Sequence, residues 1–428
     1  MAKACFMSPY FRARAVPRLT IMLLASALFP APPLAAQGLT LADALSRVAQ
    51  ADPGVAVTAA QHDAASAAIK QAEVRPQDVV TVDLEDLART DPYTPIASTQ
   101  TTAWYERTWE RGGKREARIG AARLNRDVTE QRGRLRQLDI LAQAQTAWVE
   151  ALAAEAEIPV ALERLTLAQR LEREVARRVA RALDPLFALE RARTAVAQAR
   201  IAHEQAIEAA RIARMSLAAW WGAQGDVEID SSSFSRLAPD PAADAQPIDV
   251  ALLDAERDAA AARARLAEAN SAADPVLRAG LRHYGQGNDV SIVVGGSIPL
   301  GGRRAQRGNV EQAQAERRVA EAEIAVLRVQ ATRDINRLLA QRATIVREIN
   351  KIDNVVLPSA ERAVVLVRDG YNRGGTAFTF LEVTQAQEAM INVYDRRIAL
   401  LKSYHLDGAR LDRLTGRHAS LLASAENR

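Results

Sequence analysis

The feature that most constrains this chain is an unbroken run of rod-like sequence from Gly112 to Leu183. It opens on Gly112-Gly113-Lys114-Arg115 and continues in Ala, Leu, Arg, Glu and Gln, with one proline, Pro159, inside. Leu124, Val128, Leu135, Leu138, Val149 and Leu152 fall at three- and four-residue steps once positions 131, 142 and 145 are allowed as Gln or Ala, which is a heptad seam. At 1.5 Å per residue such a helix is on the order of 100 Å long, far longer than a globular domain is wide. A rod of that size must lie against other rods. The plan recurs after Gly301-Gly302-Arg303-Arg304, where Ile324, Ala331, Ile335, Leu338, Ile345, Ile349, Ile352 and Val356 share a seam interrupted by Arg328 and Arg342.

The composition agrees with rods. The 428-residue chain is 48% hydrophobic but only 4% aromatic, which suits Ala/Leu helix packing better than a large mixed core. Its formal charge of +4 does not argue for nucleic acid. Lys3, Arg12, Arg14 and Arg18 are the only charged residues among positions 1–36, and removing them brings the balance to zero. Those residues have the order of a cleavable secretory signal: arginines, the apolar run Leu19 to Phe29, then small residues ending at Ala36. The run is too short to span a bilayer as a helix. The only cysteine, Cys5, lies within it, so the mature chain is expected to be neither disulfide-linked nor a lipoprotein.

From residue 37 the pattern predicts a helix over Leu39–Asp52, a break at Asp52-Pro53-Gly54, and a second helix over Val55–Val74 stopped by Pro76. Val79–Leu87 alternates, with Val80, Val82 and Leu84 opposite Thr81, Asp83 and Glu85, which reads as a half-polar strand. After a loop over 88–99, Thr101–Trp109 reads as its partner. Ala103, Tyr105 and Trp109 share one side, with Arg107 out of place among them. The first rod ends at Ala182-Leu183-Asp184-Pro185, and a helix to Trp221-Gly222 follows. Residues 223–247 read as a linker or small insert. The order then returns: helix Val250–Ser271, strand Val276–Tyr284, turn, strand Val290–Ile298, second rod, a break at Gly370–Thr376, and a helix from Phe378 to Thr415-Gly416. Gly113 to Leu189 is 76 residues and Gly302 to Leu381 is 79. The expected organisation is a signal (1–36), a first repeat (37–222), an insert (223–247), a second repeat (248–416) and a tail (417–428), an internal duplication.

Four short strands with one apolar face have the length and pattern of outer-membrane strands. Four cannot close a barrel, and open edges in lipid leave backbone groups unpaired. A dimer would supply eight strands and a trimer twelve. Since about eight are filled by their own side chains, a water-filled lumen favours the trimer. The alternative is a soluble periplasmic coiled-coil adaptor or scaffold with a small β-domain.

Several stretches carry a family resemblance: Leu39-Thr40-Leu41-Ala42-Asp43-Ala44-Leu45, Val82-Asp83-Leu84-Glu85-Asp86-Leu87 and Glu110-Arg111-Gly112-Gly113-Lys114-Arg115. In the second half they are Gly296-Ser297-Ile298-Pro299-Leu300, Gly308-Asn309, and Gly370-Tyr371 through Gly374-Gly375 to Phe380-Leu381-Glu382 and Ala386-Gln387. By these residues the chain resembles the TolC-like outer-membrane factors, most of all the branch paired with heavy-metal efflux pumps. The resemblance implies a mainly α homotrimer with a periplasmic α-barrel and a shared β-barrel in the outer membrane of a Gram-negative bacterium. It implies partners in outer-membrane lipid, a periplasmic adaptor and an inner-membrane transporter of the RND type, exporting divalent metal ions. A drug-efflux or type I secretion channel of the same fold is the alternative. It also implies that Arg181, Leu183, Asp184, Leu186, Leu189 and Glu190 form one periplasmic tip, and Gly374, Gly375, Thr376, Phe378, Leu381 and Glu382 the other. Glu382 matches a gate position of the family. The next acidic position of the family falls on Gln385 here.

No enzyme or cofactor motif is expected. His62, His203, His283, His405 and His418 are scattered without metal-ligand spacing. Gly112-Gly113-Lys114-Arg115 lacks the glycine spacing and hydroxyl of a phosphate loop; it and Gly301-Gly302 read as strand-to-helix turns. The arginines at 132, 134 and 136 and at 173, 177, 178 and 181 read as a solvated face, with Glu174 and Arg178 spaced for an i,i+4 pair, or as a charged lining or adaptor contact.

Overall fold

The computed structural model describes residues 38–87, 99–238, 247–285, 287–373 and 378–426. The expected signal over 1–36 and Gly374, Gly375 and Thr376 lie outside these residues. The helices α1 (Leu41–Ala51) and α2 (Gly54–Glu73) precede the strands β1 (Val79–Glu85) and β2 (Gln100–Thr108). The first rod is α3 (Lys114–Ala180), uninterrupted through Pro159, and α4 (Leu186–Ala218) returns beside it. The order continues with α5 (Val250–Ala269), β3 (Val276–Tyr284), β4 (Val290–Ser297), α6 (Gly302–Lys351), α7 (Leu357–Asn372), α8 (Phe380–Thr415) and α9 (Ala419–Glu426).

The four strands form one antiparallel sheet in the order β1-β2-β3-β4. The central β2–β3 pair joins two hairpins far apart in sequence, with Ala103 opposite Leu281 and Tyr105 opposite Ala279. All four strands meet the helices at one end, where Val79, Thr108, Val276 and Ser297 lie. The hairpin connections are at the other. Each entry into a rod is made by glycine. Gly112 and Gly113 are left-handed (φ 75° and 69°), as is Gly301 (φ 79°), a conformation an L side chain resists. A Cβ on Gly112 would also lie 2.4 Å from that of Ala272, so the turn after β2 is packed against the end of α5.

The buried seam of α3 includes Val128, Leu138, Gln145, Val149 and Leu152, as the heptad reading expects, and adds Trp148. At mid-height Trp148, Leu152, Leu217, Ile349 and Leu401 pack with Phe234 and Ile229 of the 223–238 segment. That segment is more than a linker: Ile229 makes a parallel bridge to Leu39, tying it to the start of α1. The tail also differs from expectation. Leu422 of α9 is buried against Leu45, Val48, Leu138 and Leu141. A short helix after the left-handed Gly416 gave too little periodic sequence to announce itself.

The second rod is interrupted earlier than its glycines suggest. Residues Ile352–Val356 form a π turn between α6 and α7, just before Pro358. Proline has no N–H to donate to the carbonyl four residues back, and a local widening accommodates the loss. Helix then persists to Asn372, past Gly370. Arg342, on the seam of α6, is buried at 4% exposure, with its guanidinium against the Tyr404 ring and the Tyr404 carbonyl.

Candidate functional site

Two regions are candidates for a functional role, one at the sheet and one at the far end of the rods. The first is the sheet. Residues paired across strands share a face, so Val80, Tyr105, Ala279 and Val294 form one row, and Val82, Ala103, Leu281 and Ile292 the next. This face is apolar and open: Val80 is 71% exposed, Ile292 and Val294 78%. The opposite face is polar. The indole N–H of Trp104 donates to Asp83 (3.0 Å), Arg282 Nε donates to the Thr102 hydroxyl (2.9 Å), and Arg278 lies over the Trp104 ring at 4.4 Å. Thr102 and Trp104 are buried there although the sheet is a single layer. The alternation of β1 announced this division; the role of Trp104 depends on cross-strand partners and was not legible.

The second region is the far end of the rods, where the end of α3, the start of α4, the end of α7 and the start of α8 lie together. Leu171, Val175, Leu189, Tyr371 and Val383 form a buried cluster. Above it sits a clasp between the two hairpins. Arg178 donates to both oxygens of Asp184 (2.9 and 3.1 Å) and to the Tyr371 carbonyl (2.7 Å). The Tyr371 hydroxyl donates to Asp184, and the Arg178 guanidinium stacks 4.2 Å above the Tyr371 ring. Burial opposes the charge on Asp184, but the bonds from Arg178 and Tyr371 outweigh it and hold its carboxyl below the usual range. Burial, reinforced by Asp184, raises the Tyr371 phenol. Gly370 lets the chain pass here: a Cβ would fall onto the Phe378 ring.

The anticipated pairing of Glu174 with Arg178 does not form; Glu174 takes Arg177 instead (2.8 Å), because Asp184 claims the Arg178 fork. Arg181, Leu183 and Leu186 are exposed, with Leu183 and Leu186 at 56% and 67%. Leu189 is buried in the tip cluster and Phe378 is half-buried against it, so neither presents an open surface in this chain. Glu190 is exposed and bonds Arg193 (2.7 Å). Leu381 is exposed, and the Glu382 carboxylate closes the capping box of α8, accepting from the backbone and hydroxyl of Thr379. Those bonds lower its carboxyl from the ordinary value.

Among the described residues no group of three His, Cys, Asp or Glu side chains is placed to hold a metal ion, and no helix is long and apolar enough to cross a membrane.

No family model matches the chain. It is 28% identical over 402 residues to the cobalt-zinc-cadmium resistance protein CzcC of Cupriavidus metallidurans, covering 90% of this chain and 92% of that one. The likeness to this heavy-metal resistance protein runs along nearly the whole of both chains. Solved structures of outer-membrane channels share the fold of this chain. The outer membrane protein VceC of Vibrio cholerae matches at a TM-score of 0.70 and 20% identity, over 88% of this chain and 96% of its own. CusC, whose structures concern folding and transmembrane channel formation, matches at 0.71 and 16%, over 88% and 91%. Like these, the chain described here is mainly helical with a small antiparallel sheet. Its relatives are channel and efflux proteins, not enzymes.

Proposed function

We propose that three copies of this chain close a 12-stranded barrel in the outer membrane and continue it as a helical duct into the periplasm. The duct would pass divalent heavy-metal ions outward as part of a tripartite pump with a periplasmic adaptor and an RND-type transporter. The observation that carries this is the sheet. It has an open apolar face, a polar face opposite, and two edges, β1 and β4, without a partner strand among the described residues. In lipid such edges are unsatisfied unless β4 of one copy pairs with β1 of the next. Closing four strands on themselves is geometrically barred, and twelve leave a lumen.

The metal assignment rests on the resistance named for CzcC, and the direction of flow on the membrane placement. The exposed side chains of Leu183, Leu186 and Leu381 are the surface offered to an adaptor. The clasp of Arg178, Asp184 and Tyr371 fixes the two connections relative to each other, so widening the tip requires breaking or tilting it as a unit.

Purified mature protein is expected to sediment as a trimer and conduct ions across planar bilayers. Deleting it should lower tolerance to cobalt, zinc or cadmium. A monomer that conducts nothing would refute the channel; a conducting trimer whose loss leaves metal tolerance unchanged would refute the substrate.

A further inference from the structure

On the apolar face of the sheet, at its helix end, lies a groove of about 820 Å³. Its lining combines the apolar Tyr105, Leu277 and Val294 with the cationic Arg75, Arg107 and Arg115. The acids nearby are mostly engaged. Asp78 accepts from the Tyr105 hydroxyl (2.5 Å) and faces Arg107 at 3.8 Å; Glu110 bonds Arg118 (2.7 Å); and Lys114 bonds Asp274 (2.5 Å). Among the described residues neither Arg75 nor Arg115 has an ion pair, and Glu116 is the groove's one acid likewise outside a pair. The Nε of Arg115 is buried and has no hydrogen-bond partner, an unmet charged donor that calls for an acceptor oxygen.

We propose that this groove seats an anionic phospholipid of the leaflet nearest the helices, its phosphate on Arg75 and Arg115 and its first acyl carbons on Tyr105, Leu277 and Val294. The inference rests on the membrane placement proposed above. Guanidinium groups match phosphate oxygens in their fork geometry. Trp109, 62% exposed, and Tyr105, 47% exposed, flank the Arg107 row on either side, and such amphipathic rings mark the boundary between acyl chains and headgroups. The position also explains Arg107. On an otherwise apolar face it occupies the row nearest the helices, opposite Leu277, where the hydrocarbon ends.

The test is native mass spectrometry of the delipidated full-length protein with phosphatidylglycerol or phosphatidylcholine of matched chains. The wild type is expected to prefer phosphatidylglycerol about tenfold, and Arg75→Ala with Arg115→Ala to lose that preference. Equal binding of the two lipids by the wild type, or an undiminished preference in the double variant, would overturn the site. So would inorganic phosphate displacing the lipid, since the groove would then hold a free anion. If the double variant does not refold, the exposed Arg75→Glu alone decides, loss of preference supporting the site and retention refuting it. Fractionation separates the two levels: a chain that pellets with membranes yet shows no lipid preference defeats only this site, whereas one left in the supernatant defeats the membrane placement.

Discussion

Replacing Asp184 with Asn should loosen the end of the rods that holds the Arg178–Asp184–Tyr371 clasp and leave the rest of the chain unaffected. Asp184 accepts two bonds from Arg178 and one from Tyr371, and both ionic side chains keep only 13–14% of their exposure. Charge-assisted bonds of this kind contribute about 1.5–3 kcal/mol each. Asparagine retains one acceptor, and residual solvent screens the remainder, so a net loss of about 2 kcal/mol is expected. That is roughly a 30-fold rise in the opening equilibrium of the tip.

Hydrogen exchange reads it directly. The amides of Ala182 and Leu183 bond the Val179 and Arg178 carbonyls (2.9 Å each) and report the turn. They should exchange about 30-fold faster in Asp184→Asn, while amides around Trp148 and Leu152 keep their rates. Tyr371→Phe in the same background should add less than it does alone, since both act on one carboxylate. The pH dependence has a definite sign. Because the folded carboxyl is held below its ordinary value of 3.8, the clasp is at full strength above that value and is lost as pH falls through the lower folded one. A change below about threefold at the tip, or equal acceleration throughout the rods, would refute this account.

Two further outcomes are expected. Ile292→Arg, on the open sheet face, should destabilise insertion into phospholipid vesicles by about 2–4 kcal/mol in urea titrations, whereas Ile212→Arg, exposed on α4, should stay within about 0.5 kcal/mol. Equal effects at both would place the sheet outside lipid. His405 is half-buried against Phe234, its Nε2 donating to that carbonyl (2.7 Å); partial burial lowers its pKa from 6.5, overriding the carbonyl bond, with nearby Arg342 adding to the effect. A lowered folded value means stability is complete above pH 6.5 and declines below it, so the Tm should drop between pH 7.5 and 5 and drop less in His405→Gln. A Tm indifferent to pH over that range would contradict the assignment.

What could be read from the residues alone was whatever repeats locally. The alternation of Val80, Val82 and Leu84 fixed a two-faced strand, and the heptad spacing of Val128, Leu138, Val149 and Leu152 fixed a rod; both periods are set by backbone geometry within a few residues. The glycine pairs after each hairpin marked the turns because few other residues accept a left-handed backbone. What only the tertiary structure decided was which residues meet. Asp184 and Tyr371 are 187 positions apart, and local spacing assigned Arg178 to Glu174, a pairing that gives way to Asp184 once the two hairpins are side by side. The burial of Arg342 within an apolar seam, the docking of α9 and the joining of the two hairpins through β2 and β3 have the same origin. Periodicity assigns a residue to a face; the partner on that face is set by packing between segments the local pattern does not connect.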